Sequence, residues 1–380
     1  MNQRIKEIEE NSRLLLRNYA LYDNTPRNLI VRNAPMAARR ISNRISRMLE
    51  KQDSLEHSQI YSIVEESIKP LLIESNLSEF QEILNEIAGK IEGILDLPED
   101  TVKLEILSRY FNSIFYAQVN SLVEQETNAL LSLSIKNKNI ILSFANNECV
   151  EYKAEIEILH KAIYIDNPFV IDKLGSYDEL NTMDQFLKGL LTSISKDGIM
   201  DGIIETVLAK DKIAEIYQAL QRVVSGQIIE KKDDDYYLEK EGFAQPIAFN
   251  NLSTGLKSFV IIKMLIEKGL IKEKDVLVLD EAEIHLHPQW QIAYAELIVL
   301  LQKYFDLSII VTTHSPYFLD AINLFSVKHG LDSRVNYYLS SMEDNRVKMT
   351  CVTGNVEFIY QKMASPIQML DSLHYELSNK

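Results

Sequence analysis

The sequence is poor in several residue types, and each shortage excludes a class of protein. Its only cysteines, Cys149 and Cys351, are too few and too far apart for a disulfide framework or a cysteine-based zinc site. Twelve glycines and nine prolines among 380 residues exclude collagen-like and low-complexity chains. No apolar run approaches the roughly 18 residues of a membrane span, and the polar, charged start of the chain does not resemble a secretory signal. We therefore expect a cytoplasmic protein that contacts no membrane.

Acidic residues outnumber basic ones, but the excess is unevenly distributed. The chain has 55 acidic and 40 basic side chains, a net charge of −15. Residues 1–51 hold eleven basic and five acidic side chains, which leaves 29 basic and 50 acidic ones for the rest. Nine of the thirteen arginines lie in this segment, among them Arg39, Arg40, Arg44 and Arg47. Guanidinium groups suit phosphate oxygens, so the segment could contact nucleic acid; the interpretation we favour is a solvated helix face.

The spacing of the apolar residues changes along the chain and predicts five regions. They are a helical region over 1–130, an antiparallel β ribbon and a strand over 131–175, a helical lobe and hairpin over 176–245, alternating strands and helices over 246–330, and a hairpin with a terminal helix over 331–380. Within the second region, residues 161–171 are expected to form one strand that is interrupted at Asn167-Pro168. Together these patterns predict an α/β protein.

Polar residues follow two apolar runs of strand length in the fourth region. Residues 276–279 (VLVL) end in Asp280 and Glu281, and residues 307–311 end in Thr312-Thr313-His314-Ser315. A helical pattern that opens at Pro288 joins the two runs, so the simplest connection is a parallel crossover. Both strands then present these polar residues at the same carboxyl edge of the sheet, where open α/β sheets bind ligands.

The residue types at this edge fit phosphate chemistry. A carboxylate such as Asp280 can hold Mg²⁺, which takes few protein carboxylates and keeps most of its waters. The next residue, Glu281, can orient or deprotonate a water, and His314 can donate a hydrogen bond to a terminal phosphate. Ser253 and Gly255 lie where a helix begins, so they offer a hydroxyl and backbone N–H groups to an anion.

Four motifs in this part of the chain carry a family resemblance. In chain order, residues 252–257 (LSTGLK) resemble the ABC signature, 276–281 (VLVLDE) resemble Walker B, 283–288 (EIHLHP) stand where the D-loop is found, and 312–316 (TTHSP) resemble the switch-histidine motif. The chain therefore resembles the ABC-type ATPases, specifically the SMC-like and OLD-like "AAA family ATPase" proteins of bacterial defence or mobile loci.

This resemblance implies a P-loop NTPase fold of the ABC-head type with a helical insertion, and ATP and Mg²⁺ as cofactors. It implies that Asp280 holds the metal, that Glu281 is the catalytic base and that His314 senses the γ-phosphate. Ser253, Thr254, Gly255 and Lys257 would belong to the surface that meets ATP held by a second subunit, which implies a homodimer. For Lys257 two alternatives stay open, contact with the nucleotide or simple solvation of its helix.

The sequence departs from the family pattern in three places. Ala282 stands where a proline usually follows the Walker B glutamate, and Thr254 and Leu256 replace the Gly and Gln that transporter-type members prefer. The third departure is that G-x-x-x-x-G-K-[ST] occurs nowhere in the sequence; the nearest fragment is AGKI, residues 88–91. We therefore expect that the N-terminal phosphate-loop lobe is missing and that the chain alone is inactive.

Two functions other than that of an ATPase stay open. The first is a degenerate, non-hydrolysing head that acts as a binding or structural subunit. For the ATPase as well as for this alternative, an effector protein could act as a partner. The second is a metal-dependent hydrolase that uses His285 and His287 together with Asp280, Glu283 and His314. A His-x-His pair on a strand would place both rings on one face, where nearby carboxylates could complete a zinc or manganese site.

Overall fold

The computed structural model describes residues 2–22, 27–52, 54–69, 77–122, 128–175, 180–193, 214–231 and 236–378. The chain divides into two compact units, Met1–Arg109 and Tyr110–Lys380, and each is described by itself. The finer division into five regions stays a prediction.

The first unit is helical. Its elements are α1 (Asn2–Tyr22), α2 (Arg27–Leu49), α3 (His57–Ile68), α4 (Leu77–Asp96) and the first part of α5 (Glu99–Ile114). Isoleucines at helical spacing form the core, including Ile8, Ile41, Ile45, Ile60 and Ile87. Ile41 and Ile45 lie on the buried side of α2. The arginines between them, Arg39, Arg40, Arg44 and Arg47, are exposed.

The second unit begins with the end of α5 and an antiparallel meander. Strands β1 (Asn128–Ile135), β2 (Lys138–Ala145) and β3 (Glu148–Ala154) lie in the order β1-β2-β3. Alternate residues of β2 are buried, as the period-two pattern of the sequence predicted. The turns place Lys136, Asn137, Asn146 and Asn147 at positive φ. Asparagine tolerates the left-handed conformation of tight hairpin turns, and this explains the two short connections.

A parallel sheet in the order β4-β8-β9 positions the site. It consists of β4 (Ala162–Ile165), β8 (Val276–Leu279) and β9 (Ser308–Val311), with Ile165 paired to Leu279 and Leu279 paired to Val311. The parallel crossover predicted for the last two strands is confirmed. The single strand predicted over residues 161–171 is wrong beyond Ile165. There Asn167 accepts a hydrogen bond from the Phe169 amide and, with Pro168, starts a 3₁₀ helix, Pro168–Lys173.

Helices and a small second sheet complete the core around the parallel sheet. The helices are α6 (Thr182–Thr192), α7 (residues 214–221), α8 (Thr254–Glu267), α9 (Pro288–Phe305) and α10 (Pro316–Lys328). Strands β5 (Gln227–Glu230), β6 (Tyr236–Glu239) and β7 (Ile247–Ala248) form an antiparallel sheet, so the predicted hairpin is confirmed. Its acidic turn, Asp233–Asp235, lies outside the described residues. Helices α8 and α9 are buried along most of their length, as their nearly continuous apolar sequences require.

The chain ends in a hairpin and a helix. Strands β10 (Tyr338–Glu343) and β11 (Arg346–Cys351) pair through a two-residue turn, Asp344-Asn345, in which both residues have positive φ. Helix α11 (Glu357–Ser378) follows, as predicted. In the described part of the chain, no helix combines the length and the apolar character needed to cross a bilayer.

Candidate active site at the carboxyl edge of the parallel sheet

The residues that follow the three parallel strands lie side by side. The hydrogen-bond ladder continues one residue past the strands, since the Asp280 amide donates to the Ile165 carbonyl and the Thr312 amide donates to the Leu279 carbonyl, both at 3.0 Å. Asp280 therefore lies between the end of β4 and Thr312. This is the edge at which the sequence predicted ligand binding, and the parallel pairing produces it directly.

Asp280 is held by two hydroxyl groups. The Tyr164 hydroxyl donates to Oδ2 at 3.0 Å, and the Thr312 hydroxyl donates to Oδ1. Thr312 Oγ1 also accepts from the Glu281 amide at 2.8 Å, so this one threonine fixes both members of the acidic pair. Burial, the charge of Asp166 and the hydrogen bond to Asp280 raise the pKa of Tyr164. Tyr164 therefore remains a neutral donor to the carboxylate at physiological pH.

Glu281 and His314 face each other in an open position. His314 Nε2 lies 3.7 Å from Glu281 Oε1, and the two side chains are 87% and 47% exposed respectively. The Glu281 backbone has φ 46°, in the left-handed region, which costs a non-glycine residue on the order of 1 kcal/mol. A glutamate that keeps this conformation at a sheet edge is held there by its surroundings, here by the Thr312 contact, and its carboxylate stays accessible to a water or a ligand.

A second set of contacts fixes the loop that carries His314. The His314 amide donates to Glu283 Oε1 at 2.6 Å, and the Ser315 hydroxyl donates to Gln291 Oε1 at 2.6 Å. Gln291 in turn donates to the Leu286 carbonyl at 3.0 Å. The segments after β8 and β9 are thus joined to each other as well as to their strands.

The segment that resembles the ABC signature lies at the start of α8. Ser253 is the exposed N-cap residue, and its side chain makes no capping hydrogen bond. Thr254 is the first helical residue, and Gly255 is buried against the His285 carbonyl and the Trp290 ring. Among the described residues, no hydrogen bond or ion pair joins residues 253–257 to Asp280, Glu281 or His314. Ser253 and the first amides of the helix therefore remain available to an anion.

The structure excludes one of the two roles considered for Lys257 from the sequence. Its side chain is only 4% exposed, and its Nζ lies 2.5 Å from Asp172 Oδ2, in the 3₁₀ helix after β4. The ammonium also lies 5.0 Å from the centre of the Phe169 ring, whose edge meets His285. Solvation of the helix is therefore wrong for Lys257, because the charge is inside the protein. Its assignment to the nucleotide surface stays a prediction.

The two histidines of the metal-hydrolase alternative do not lie on a strand. Residues 282–285 form a turn, so the expectation that His285 and His287 share one face of a strand is wrong. His285 packs against Phe169 with ring centroids 5.6 Å apart, and His287 Nδ1 accepts from the Gln289 amide at 3.4 Å at the start of α9. The described part of the chain contains no group of three or more His, Cys, Asp or Glu side chains placed to hold a metal ion.

The donor set at the sheet edge suits a magnesium nucleotide better than a metal caged by protein. Asp280 and the Thr312 hydroxyl offer hard oxygen atoms, and Mg²⁺ in nucleotide sites typically takes one or two such protein ligands and completes its shell with water and phosphate. Two residues of this site, Tyr164 and Gln291, were not identified from the sequence, and Thr312 was named there only as part of a motif, without a role. Tyr164 had a detectable signal, because it alternates with the buried Ile163 and Ile165 on a strand that ends beside Asp280.

Gly255→Ala is expected to destabilise the second unit by about 1–3 kcal/mol, because overpacking a close contact has costs of that order. An added Cβ would lie 3.0 Å from the His285 carbonyl oxygen and 3.0 Å from the Trp290 ring. Urea unfolding followed by Trp290 fluorescence measures the effect, with Gly189→Ala as the control because its Cβ would meet no atom within 4 Å. Equal midpoints for the two variants would show that the contact is not tight.

The fold and site define a class of protein: a mixed α/β domain of the P-loop NTPase type, with an acidic pair and a histidine at the carboxyl edge of its parallel sheet. Residues 110–320 match the family described as "AAA domain, putative AbiEii toxin, Type IV TA system". This range is more than half of the chain, and the chain belongs to that family.

Two further similarities cover smaller parts of the molecule. The Septu protein PtuA of Bacillus thuringiensis is 34% identical over an alignment of 110 residues, and the match covers 25% of this chain and 27% of that protein. The aligned part thus spans about a quarter of the length of this relative. A structure from work on the ATP-driven dimerization and DNA-stimulated activation of SMC ATPases matches 42% of this chain and 96% of that chain, with a TM-score of 0.30 and 15% identity. At this TM-score the likeness carries no structural argument.

Proposed function

We propose that this protein is an ATP-binding and ATP-hydrolysing subunit of the ABC type that forms a homodimer around ATP. The observation that carries the proposal is the placement of Asp280, Glu281, Thr312 and His314 in one contact network at the carboxyl edge of a parallel sheet. Membership in an AAA family supports a nucleotide as the ligand. ATP would supply the phosphoryl group that is transferred to water, and Mg²⁺ would supply the positive charge that the carboxylates of the site can bind.

Each residue of the network has a distinct task in this proposal. Asp280, oriented by Tyr164 and Thr312, would hold the metal. Glu281 would orient the attacking water and accept its proton, since its carboxylate is accessible and lies at a long distance, 3.7 Å, from His314 Nε2. His314 would donate a hydrogen bond to the terminal phosphate from the neighbouring loop. The start of α8, with Ser253, Thr254 and Gly255, would contact the ATP held by the second subunit through its hydroxyls and free amides.

The purified 380-residue chain is expected to hydrolyse ATP weakly or undetectably, because its sequence has no G-x-x-x-x-G-K-[ST] loop to hold the α- and β-phosphates. Release of inorganic phosphate with and without Mg²⁺ measures this, and the same chain supplied with a phosphate-loop segment in trans provides the comparison. Robust, magnesium-dependent turnover by the chain alone would show that other residues of this chain hold the phosphates. No turnover even with the loop supplied would favour the alternative of a non-hydrolysing head.

We further propose a cytoplasmic, DNA-related or anti-phage role in which an effector protein acts together with this subunit. The support is a surface of exposed arginines on α2, of which Arg44 is paired with Glu66 at 2.6 Å. The measurement is the binding of duplex DNA to the purified protein at low and at high salt. Salt-sensitive binding that is lost when the exposed Arg39, Arg40 and Arg47 are replaced by glutamine would support contact with phosphates and would exclude a merely solvated face.

A further inference from the structure

Glu283 is a buried carboxylate that the proposed chemistry does not use. It lies two residues after Glu281 and is only 6% exposed. Its Oε1 accepts the hydrogen bond from the His314 amide at 2.6 Å. Its Oε2 is buried and has no hydrogen-bond partner among the described residues, and no Lys, Arg or His nitrogen of those residues lies within ion-pair distance of it.

Such a group is costly to keep inside a protein. A carboxylate loses its hydration on burial, and a single N–H donor compensates for only part of that loss. A leucine or glutamine at this position would avoid much of the cost, so the retained glutamate calls for an explanation in terms of what it contacts. Among the described residues, the one polar contact of this side chain is with the backbone of His314, whose ring faces Glu281.

The geometry points to Glu283 as a positioning residue, and we propose that it holds the backbone of His314 so that the imidazole stays opposite Glu281. The inference rests on the proposed ATPase function. Other hydrogen bonds hold the loop on either side of His314. Before it, Thr312 bonds to Asp280 and Glu281. After it, the Ser315 amide donates to Thr313 Oγ1 at 3.0 Å. The hydrogen bond to Glu283 is the contact that fixes the histidine itself, across the gap between the ends of β8 and β9.

Three substitutions separate the hydrogen bond from the charge and from the length of the side chain. Glu283→Gln keeps a carbonyl acceptor at the same distance from the backbone, Glu283→Asp withdraws the acceptor by one methylene, and Glu283→Ala removes it. A positioning role through Oε1 therefore predicts that the Gln variant resembles the wild type, and that the Asp and Ala variants resemble each other. A role that depends on the negative charge predicts instead that the Asp variant resembles the wild type and that the Gln variant resembles the Ala variant.

The test is residue-resolved amide hydrogen exchange of His314, with the Ser315 amide as an internal reference because it bonds to Thr313 instead. We expect exchange at His314 to be roughly 10- to 100-fold faster in the Ala and Asp variants, the range for loss of a hydrogen bond to a charged acceptor. We expect the Gln variant to stay within a few-fold of the wild type, and Ser315 to change little in all three. Unchanged exchange at His314 in Glu283→Ala would overturn the proposal. A parallel rise at Ser315 and across the second unit would also overturn it, because Glu283 would then support the fold in general.

Exchange is measured without nucleotide, so its outcome does not depend on whether the protein hydrolyses ATP. In a preparation that does, Glu283→Ala should lower kcat about tenfold at unchanged KM, and Glu283→Gln should restore it, since only the orientation of His314 is affected. If His314 exchange responds as expected but no preparation hydrolyses ATP, the proposed function is wrong. The role of Glu283 in holding the His314 backbone would still be supported. If turnover is present and Glu283→Ala leaves kcat unchanged, the positioning role is wrong.

Discussion

Glu281→Gln is expected to lower ATP hydrolysis by roughly 10²–10⁴-fold, the usual contribution of a general base, in protein completed with a phosphate-binding loop. Glutamine has nearly the same shape as glutamate but cannot accept the proton of the attacking water. Its amide can still adopt the position of the carboxylate beside His314, where the two groups are now 3.7 Å apart. ATP should therefore still bind, and the ATP-bound dimer should accumulate because hydrolysis no longer separates the subunits.

The measurement combines phosphate release with the mass of the complex in solution, determined by light scattering with and without ATP. Glu273→Gln is the matched control, because that glutamate is exposed at the loop before β8 and makes only a surface ion pair with Lys274. A Glu281→Gln variant that loses hydrolysis but remains monomeric with ATP would show that the dimeric mechanism is wrong. Full activity in this variant would show that another group takes the proton.

Lys257→Met is expected to destabilise the second unit by about 3 kcal/mol, because removal of one member of a buried ion pair leaves the other without its counter-charge. We take the lower end of that range because Asp172 keeps a side-chain exposure of 23%. Asp172 would also have neither oxygen paired, since its Oδ1 is already buried without a hydrogen-bond partner among the described residues. Methionine fills a similar volume, so the loss would reflect charge more than packing.

Urea unfolding followed by fluorescence is the appropriate measurement, because the chain's single tryptophan, Trp290 of α9, packs against Phe259 of α8, the helix that carries Lys257. Lys348→Met is the control, because the Lys348–Glu343 pair is exposed and such pairs contribute about 1 kcal/mol or less. The double variant Lys257→Met/Asp172→Leu should recover most of the stability, as replacing both charges by apolar groups often does. A double variant as unstable as Lys257→Met alone would show that packing is responsible.

The sequence was most informative where one physical rule acts over a short stretch. The apolar runs at 276–279 and 307–311, joined by a helix, predicted parallel strands, and polar residues at their ends predicted a site at one edge. That prediction needed no knowledge of the rest of the chain. The same holds for the hairpin before α11, because Asp344-Asn345 is a turn sequence that alternating residues flank on both sides.

The contacts that shape the site could not be predicted in this way, because they join residues far apart in the chain. Tyr164 reaches Asp280 across 116 positions, and Lys257 reaches Asp172 across 85. A lysine near the start of a helix is ordinarily solvated, and only the three-dimensional packing shows that this one is buried. The strand expected beyond Ile165 failed for a local reason, since the Asn167 cap and Pro168 favour a helical turn over continued extension.

The buried pair of Lys257 and Asp172 also has a mechanical consequence. It ties the first turn of α8 to the 3₁₀ helix that begins three residues after β4, and Tyr164 of that strand holds Asp280. Because separation of this pair would leave a buried ammonium without its counter-charge, we expect the start of α8 and the end of β4 to move together. A ligand that pushes on Ser253 therefore exerts force on the Asp280 carboxylate through a short, stiff path. In a dimer of the proposed kind, ATP held by one subunit would contact Ser253 of the other subunit and would thereby influence the position of Asp280 in that other subunit.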